Sequence, residues 1–130
     1  MEVTRITKDV KNDSFKMAAL DADTRNGALS AISLALSANA EAIFAANASD
    51  LAEAERSNLA SPLLKRLKFD KQKLDDVISG IQSLIGLPDP LGRSLLARQL
   101  DEGLRLYQVT CPIGVIGVIF ESRPDALVQN

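Results

Sequence analysis

Histidine and tryptophan are absent from this 130-residue chain, and cysteine occurs once, at Cys111. Without histidine, no Ser-His-Asp or Cys-His pair forms within the chain, and the common zinc ligand sets cannot be assembled. No metal centre is expected. A single thiol excludes an internal disulfide and fits a reducing compartment. Aromatic residues make up 4% of the chain, too few for the stacking platforms that hold single-stranded nucleic acid. Neither charge dominates: 15 basic and 17 acidic side chains leave a net −2. That balance gives no electrostatic pull toward nucleic acid or an anionic bilayer. The longest apolar run, Val115 to Phe120, is far too short to span a bilayer. The opening MEVTRITKDVKND is polar and mixed in charge, unlike a secretory signal. These absences lead us to expect a soluble, cytoplasmic protein with no nucleic-acid and no membrane partner. What is present, 46% hydrophobic content, is enough for a core of one domain.

The composition changes near residue 88: Ala, Leu and charged residues dominate before it, Pro, Gly and Val after it. Helices are therefore expected first and strands second. A first helix is expected over Thr4 to Leu20. A second is expected to start after Asp21 or Asp23 as cap, with Ala28, Ile32, Ala35 and Leu36 on its inner face. Asn39 is read as the cap of a third, with Ile43, Phe44, Leu51 and Ala54 inward and Asn47 as a possible break. Ser61-Pro62 opens a short helix to Leu67. Asp70 caps the clearest one, in which Leu74, Val77, Ile78, Ile81, Leu84 and Ile85 keep a 3.6 period until Gly86 and Pro88.

LPDPLG, residues 87–92, reads as a rigid linker. Ser94–Leu100 and Leu104–Cys111 read as a hairpin around Asp101-Glu102-Gly103. The apolar positions change phase between Leu106 and Tyr107, which predicts a bulge there. Val115–Phe120 is apolar on both faces, as expected of a central parallel strand covered by helices. Such a strand needs neighbours and crossover helices. The expectation is the front end of a longer protein or a truncated copy of one.

Glu121-Ser122-Arg123-Pro124 is the turn at the carboxyl end of that strand, where ligands bind in open α/β sheets. Arg123 there suits a two-pronged contact with phosphate or carboxylate, beside the free N–H groups of the next helix. The alternative is an arginine that pairs with Glu121 or caps a neighbouring helix. Gly114 and Gly117 do not form a Gly-x-Gly-x-x-Gly loop and read as structural, one for a turn and one for close backbone approach. Cys111 reads as a small packed residue. Lys65, Arg66 and Lys68 read as a solvated helix end, and Asp50, Glu53 and Glu55 as a wet face.

CPIGVIGVIFESRPDALVQ, together with ANASDLAEAERSNLASPLLKRL, LPDPLG and LDEGLRLYQVTCPIG, closely resembles γ-glutamyl phosphate reductases, also called glutamate-5-semialdehyde dehydrogenases. The resemblance runs from about residue 10 to the end. It implies an α/β fold of the aldehyde dehydrogenase superfamily: N-terminal helices, a hairpin and the first strand of a doubly wound cofactor domain, truncated. It implies residues 1–92 as the helical part of the cofactor domain, 93–112 as the hairpin of an oligomerisation sheet, and 113–130 as the first cofactor-domain strand and helix start. It implies NADPH as cofactor, γ-glutamyl phosphate as substrate, proline biosynthesis as the setting and a homo-oligomer at full length. It also implies a thioester-forming catalytic cysteine beyond residue 130. Carried onto this chain, the cofactor and substrate cleft is lined by Phe120, Glu121, Ser122, Arg123 and Pro124. Many members of the family have Asn where this chain has Asp125. The piece alone is expected to be inactive. The alternative is a truncated, non-catalytic paralogue that binds a full-length partner through the hairpin.

Overall fold

The computed structural model describes residues 2–121 and 123–129. The elements are α1 (Glu2–Ala18), α2 (Ala22–Ala38), α3 (Ala40–Arg56), α4 (Ser61–Leu67), α5 (Lys71–Ile85), β1 (Ser94–Asp101), β2 (Leu104–Val109) and α6 (Ala126–Gln129). They fall into two compact units, Met1–Ala22 with Pro88–Gly117, and Asp23–Leu87 with Val118–Asn130. No single described helix is long and apolar enough to cross a membrane.

The second unit holds the core. Phe69, Leu74, Val77 and Ile81 are buried, and Leu29, Leu36, Ile43 and Phe44 pack against them. The 3.6 periodicity of α5 puts Leu74, Val77 and Ile81 on one stripe; Leu84, expected inward, is exposed. Asp70 caps this helix as expected, its carboxylate accepting from Lys73 N–H at 3.1 Å. The inner face of α2 is rotated from the expected one. Leu29, Ser33 and Leu36 face inward, while Ala28, Ile32 and Ala35 are exposed. The centre of that face is polar: Ser33 is buried, and Gln82 Nε2 donates to its Oγ at 3.4 Å. Counting apolar residues alone therefore selects the wrong stripe.

Two asparagines correct the sequence reading of α3. Asn39 makes no side-chain cap; its Nδ2 donates backward to Ala35 O at 2.8 Å. Asn47 does not break the helix. It is buried, its Nδ2 donates to Leu67 O at 2.9 Å, and its Oδ1 accepts from Phe69 N–H at 2.7 Å. The side chain acts as a clamp on the α4–α5 connection, giving partners to Leu67 O and Phe69 N–H. In α4, Ala60 rather than Ser61 occupies the cap position, without a side-chain cap bond, and Pro62 sits in the first turn.

The Asp70 carboxyl is held below its ordinary value, first by the Lys68 side chain at 2.9 Å and then by Lys73 N–H. A depressed folded-state pKa adds stability above the ordinary carboxylate range, and that stability is lost as pH falls through the folded value. We expect the first turn of α5 to fray as pH falls below the ordinary carboxylate range and through the lowered value of Asp70, and Asp70→Asn to lose that pH dependence. Amide exchange at Lys73 across the range checks it; an identical profile in the variant would refute it.

In the first unit, β1 and β2 pair antiparallel, with Ala97 opposite Tyr107 and Arg98 opposite Leu106. Gly103 takes φ +75° in the turn, as a tight hairpin loop requires. The irregularities lie at Leu95 and Leu100 in β1, not between Leu106 and Tyr107. β2 simply carries apolar side chains on one face at its start and on the other at its end. Both strands are exposed throughout, so no burial forces a bulge there. Thr110 closes the hairpin base: its Oγ1 donates to Pro90 O at 2.6 Å and accepts from Arg93 N–H at 2.9 Å.

Val115–Phe120 forms no strand here. Residues 111–120 have no regular structure and are exposed. A strand is held by ladder bonds to a neighbour, and the described residues offer this segment none. Among the described residues, the α/β character therefore rests on five helices, a short sixth one and the hairpin.

Candidate functional site

The candidate site is the turn before α6. Two residues anchor it to the second unit. Ala126 is buried, and Val128 packs against the core cluster beside α5, forming a shallow groove with Val77, Gly80, Ile81 and Leu84. The backbone closes on itself: Ala126 N–H donates to Arg123 O at 3.1 Å and Val128 N–H to Asp125 O at 3.1 Å. Leu127 N–H points to Pro124 O at 3.4 Å. These amides were expected to be free for an anion. They are occupied by the carbonyls of the turn, because α6 is only four residues long and the turn winds directly into it.

Phe120, Glu121 and Arg123 are exposed, and Pro124 is half-buried. Ser122, also predicted to line the site, lies outside the described residues. The structure thus leaves Arg123 as the group with chemistry to offer. Its side chain is 53% exposed, and its Nη2 lies 3.5 Å from Asp125 Oδ2. The partner is Asp125, two residues on, rather than Glu121. The Asp125 side chain is only 14% exposed, and its Oδ1 is buried with no hydrogen-bond partner among the described residues. The sequence reading noted Asp125 as a position where many members of the family have Asn. The spacing Arg-Pro-Asp was the missed signal, since a proline between the two charges turns the chain back on itself.

A guanidinium anchored on one side and open on the other can take an oxyanion by a two-pronged contact. Among the described residues, no group of three or more His, Cys, Asp and Glu is placed to hold a metal ion. Cys111, expected to be packed, is exposed and free. Gly114 takes φ +101°, a conformation that favours glycine, but no turn forms there. Gly117 has open space where a Cβ would stand, so among the described residues no backbone approaches it closely. Lys68 pairs with Asp70, and Lys73 Nζ donates to Arg66 O at 3.1 Å, so the basic cluster serves the α4–α5 junction.

No protein-family model matches the chain. Curated proteins do. A γ-glutamyl phosphate reductase of Ruminiclostridium cellulolyticum is 56% identical over 129 residues, 99% of this chain and 30% of that protein. The chain is similar to γ-glutamyl phosphate reductases along nearly its whole length. That of Pelotomaculum thermopropionicum is 54% identical over the same share. Solved structures agree. The γ-glutamyl phosphate reductase of Saccharomyces cerevisiae superimposes on 96% of this chain with a TM-score of 0.91 at 43% identity. That of Thermotoga maritima covers 98% with a TM-score of 0.93 at 30% identity. The chain spans about 30% of the length of the curated relatives it matches.

Proposed function

We propose that the chain is the N-terminal part of an NADPH-dependent reductase that converts γ-glutamyl phosphate to glutamate 5-semialdehyde and phosphate in proline biosynthesis. The observation that carries this reading is the 56% identity, unbroken over 129 residues, to a protein named for that substrate. In this reading residues 1–92 build the helical side of the cofactor domain, 93–112 the hairpin of an oligomerisation sheet, and 113–130 the first cofactor-domain strand and the turn at its end. The nucleophilic cysteine lies in the part of the reductase beyond these residues.

The open edge of Arg123 fits a phosphate, whether of the cofactor or of the acyl phosphate. NADPH, when bound, supplies the hydride. The work of this segment is placement: Arg123 meets the anion, Phe120 and Pro124 give the cleft an apolar wall, and Ala126 and Val128 fix the turn to the helical core. In a reductase of the relatives' full length carrying these 130 residues, Arg123→Ala is expected to lower kcat/KM by well over tenfold. NADPH consumption with γ-glutamyl phosphate measures it. An unchanged value returns Arg123 to a structural role.

A second reading, a non-catalytic paralogue that binds a full-length partner, is favoured by one feature: the hairpin exposes both faces. Co-purification of the 130-residue chain with a full-length reductase, abolished by deleting residues 94–109, would support it.

A further inference from the structure

The Asp125 carboxylate is the most buried acidic side chain in the candidate site, and it is incompletely satisfied. Oδ1 has no partner among the described residues, and Oδ2 stands 3.5 Å from Arg123 Nη2, too long for a good hydrogen bond. A buried acceptor without a donor is costly. A donor beside it is the Arg123 guanidinium, a planar fork of five N–H groups. Two of those N–H groups on the two carboxylate oxygens would make the two-pronged geometry that arginine and carboxylate favour.

The two partners are unequal. Asp125 is held by its neighbour: Ala126 is buried. Its own carbonyl also accepts from Val128 N–H, and Val128 packs on the core. Arg123 is half in solvent. The carboxylate is therefore the fixed end and the guanidinium the adjustable one.

We propose that Asp125 is a positioning residue: it grips one edge of the Arg123 guanidinium so that the opposite edge faces a phosphate-type anion. This rests on the reading of residues 120–124 as the ligand cleft. No bond to substrate is made by Asp125. Its carboxylate sets the direction of Arg123 and lowers the freedom the arginine loses when the anion binds.

The test uses a full-length reductase carrying this segment, assayed in the reverse direction, in which inorganic phosphate is a substrate. Asp125→Asn keeps the shape and removes the charge. It is expected to raise the KM for phosphate five- to twentyfold, with a smaller loss in kcat. In an Arg123→Ala background the same substitution is expected to change that KM less than twofold, because the group it positions has gone. Asp125→Glu, which keeps the carboxylate, is expected to stay within threefold of the parent and serves if the Asn variant does not fold. Effects of Asp125→Asn and Arg123→Ala that multiply would overturn the positioning role while leaving the cleft reading intact. A Glu variant as weak as the Asn variant would overturn it too. If Arg123→Ala alone leaves the KM for phosphate unchanged, the cleft reading fails and this inference fails with it.

Discussion

The 130-residue chain on its own is expected to self-associate at micromolar concentration and to show no reductase activity. Its accessible surface is 10170 Å². A compact 14.0 kDa monomer exposes roughly 6700 Å², and even two separate bodies of half that mass expose roughly 8100 Å². The excess is largely apolar. The hairpin leaves Leu95, Leu100, Leu104 and Tyr107 in solvent, Ile119 is fully exposed at 101%, and α1 exposes Val3, Ile6 and Phe15. Large apolar side chains left in solvent on the hairpin and on α1 favour burial against another surface, and the edges of an isolated hairpin invite strand addition. Sedimentation velocity at rising concentration checks the expectation. A sharp monomer at tens of micromolar that binds no hydrophobic dye would sink it, and so would turnover of γ-glutamyl phosphate with NADPH. Lysine substitutions at Leu95 and Leu104 are expected to shift the distribution toward monomer.

The same exposure explains what could be read from the sequence and what could not. α5 was legible because its stripe is apolar, its cap is an aspartate and its end is marked by Gly86 and Pro88. The hairpin was legible because Gly103 marks the turn between two β-prone runs. Three of the readings that the structure changed turned on a partner rather than a propensity. The inner face of α2 is centred on Ser33, whose burial depends on Gln82, 49 residues away. Asn47 looks like a helix breaker in isolation, yet its amide serves groups 20 and 22 residues on. Val115–Phe120 has every local mark of a strand and forms none, because strand pairing needs a neighbour.

The candidate site was half legible. Arg123 was named from its place at the end of an apolar run. The alternative reading offered Glu121 or a neighbouring helix as its partner; the pairing found is with Asp125, across the turn that Pro124 makes. A turn of this kind brings i and i+2 charges together, and Asp125, drawn in with Ala126, becomes the buried member. The resemblance to γ-glutamyl phosphate reductases carried the site in residue names. The pairing of Arg123 with Asp125 comes from the geometry.

Asn47→Ala is expected to cost about 3 kcal/mol, the largest stability loss for any single polar side chain in the second unit. Two bonds go at once. Phe69 N–H is buried and loses its acceptor at 2.7 Å, and Leu67 O loses its donor at 2.9 Å. A buried backbone group stripped of its partner costs about 1–3 kcal/mol, and alanine leaves room for no replacement except water. The consequence spreads, since Phe69 belongs to the core cluster with Leu74 and Val77. Releasing residues 67–69 loosens the packing of α5 on α3, and with it the base on which Val128 rests. Asn47→Asp separates the two bonds. It keeps an acceptor for Phe69 N–H, but it sets a carboxylate against Leu67 O, so it is expected to be at least as damaging as alanine. Amide exchange gives the measurement without requiring a monomer. Phe69 and the α5 amides are expected to lose about a hundredfold in protection. A loss under threefold at Phe69 would mean that the α4–α5 connection holds its shape without the clamp, and that the buried amide of Asn47 follows the fold rather than fixing it.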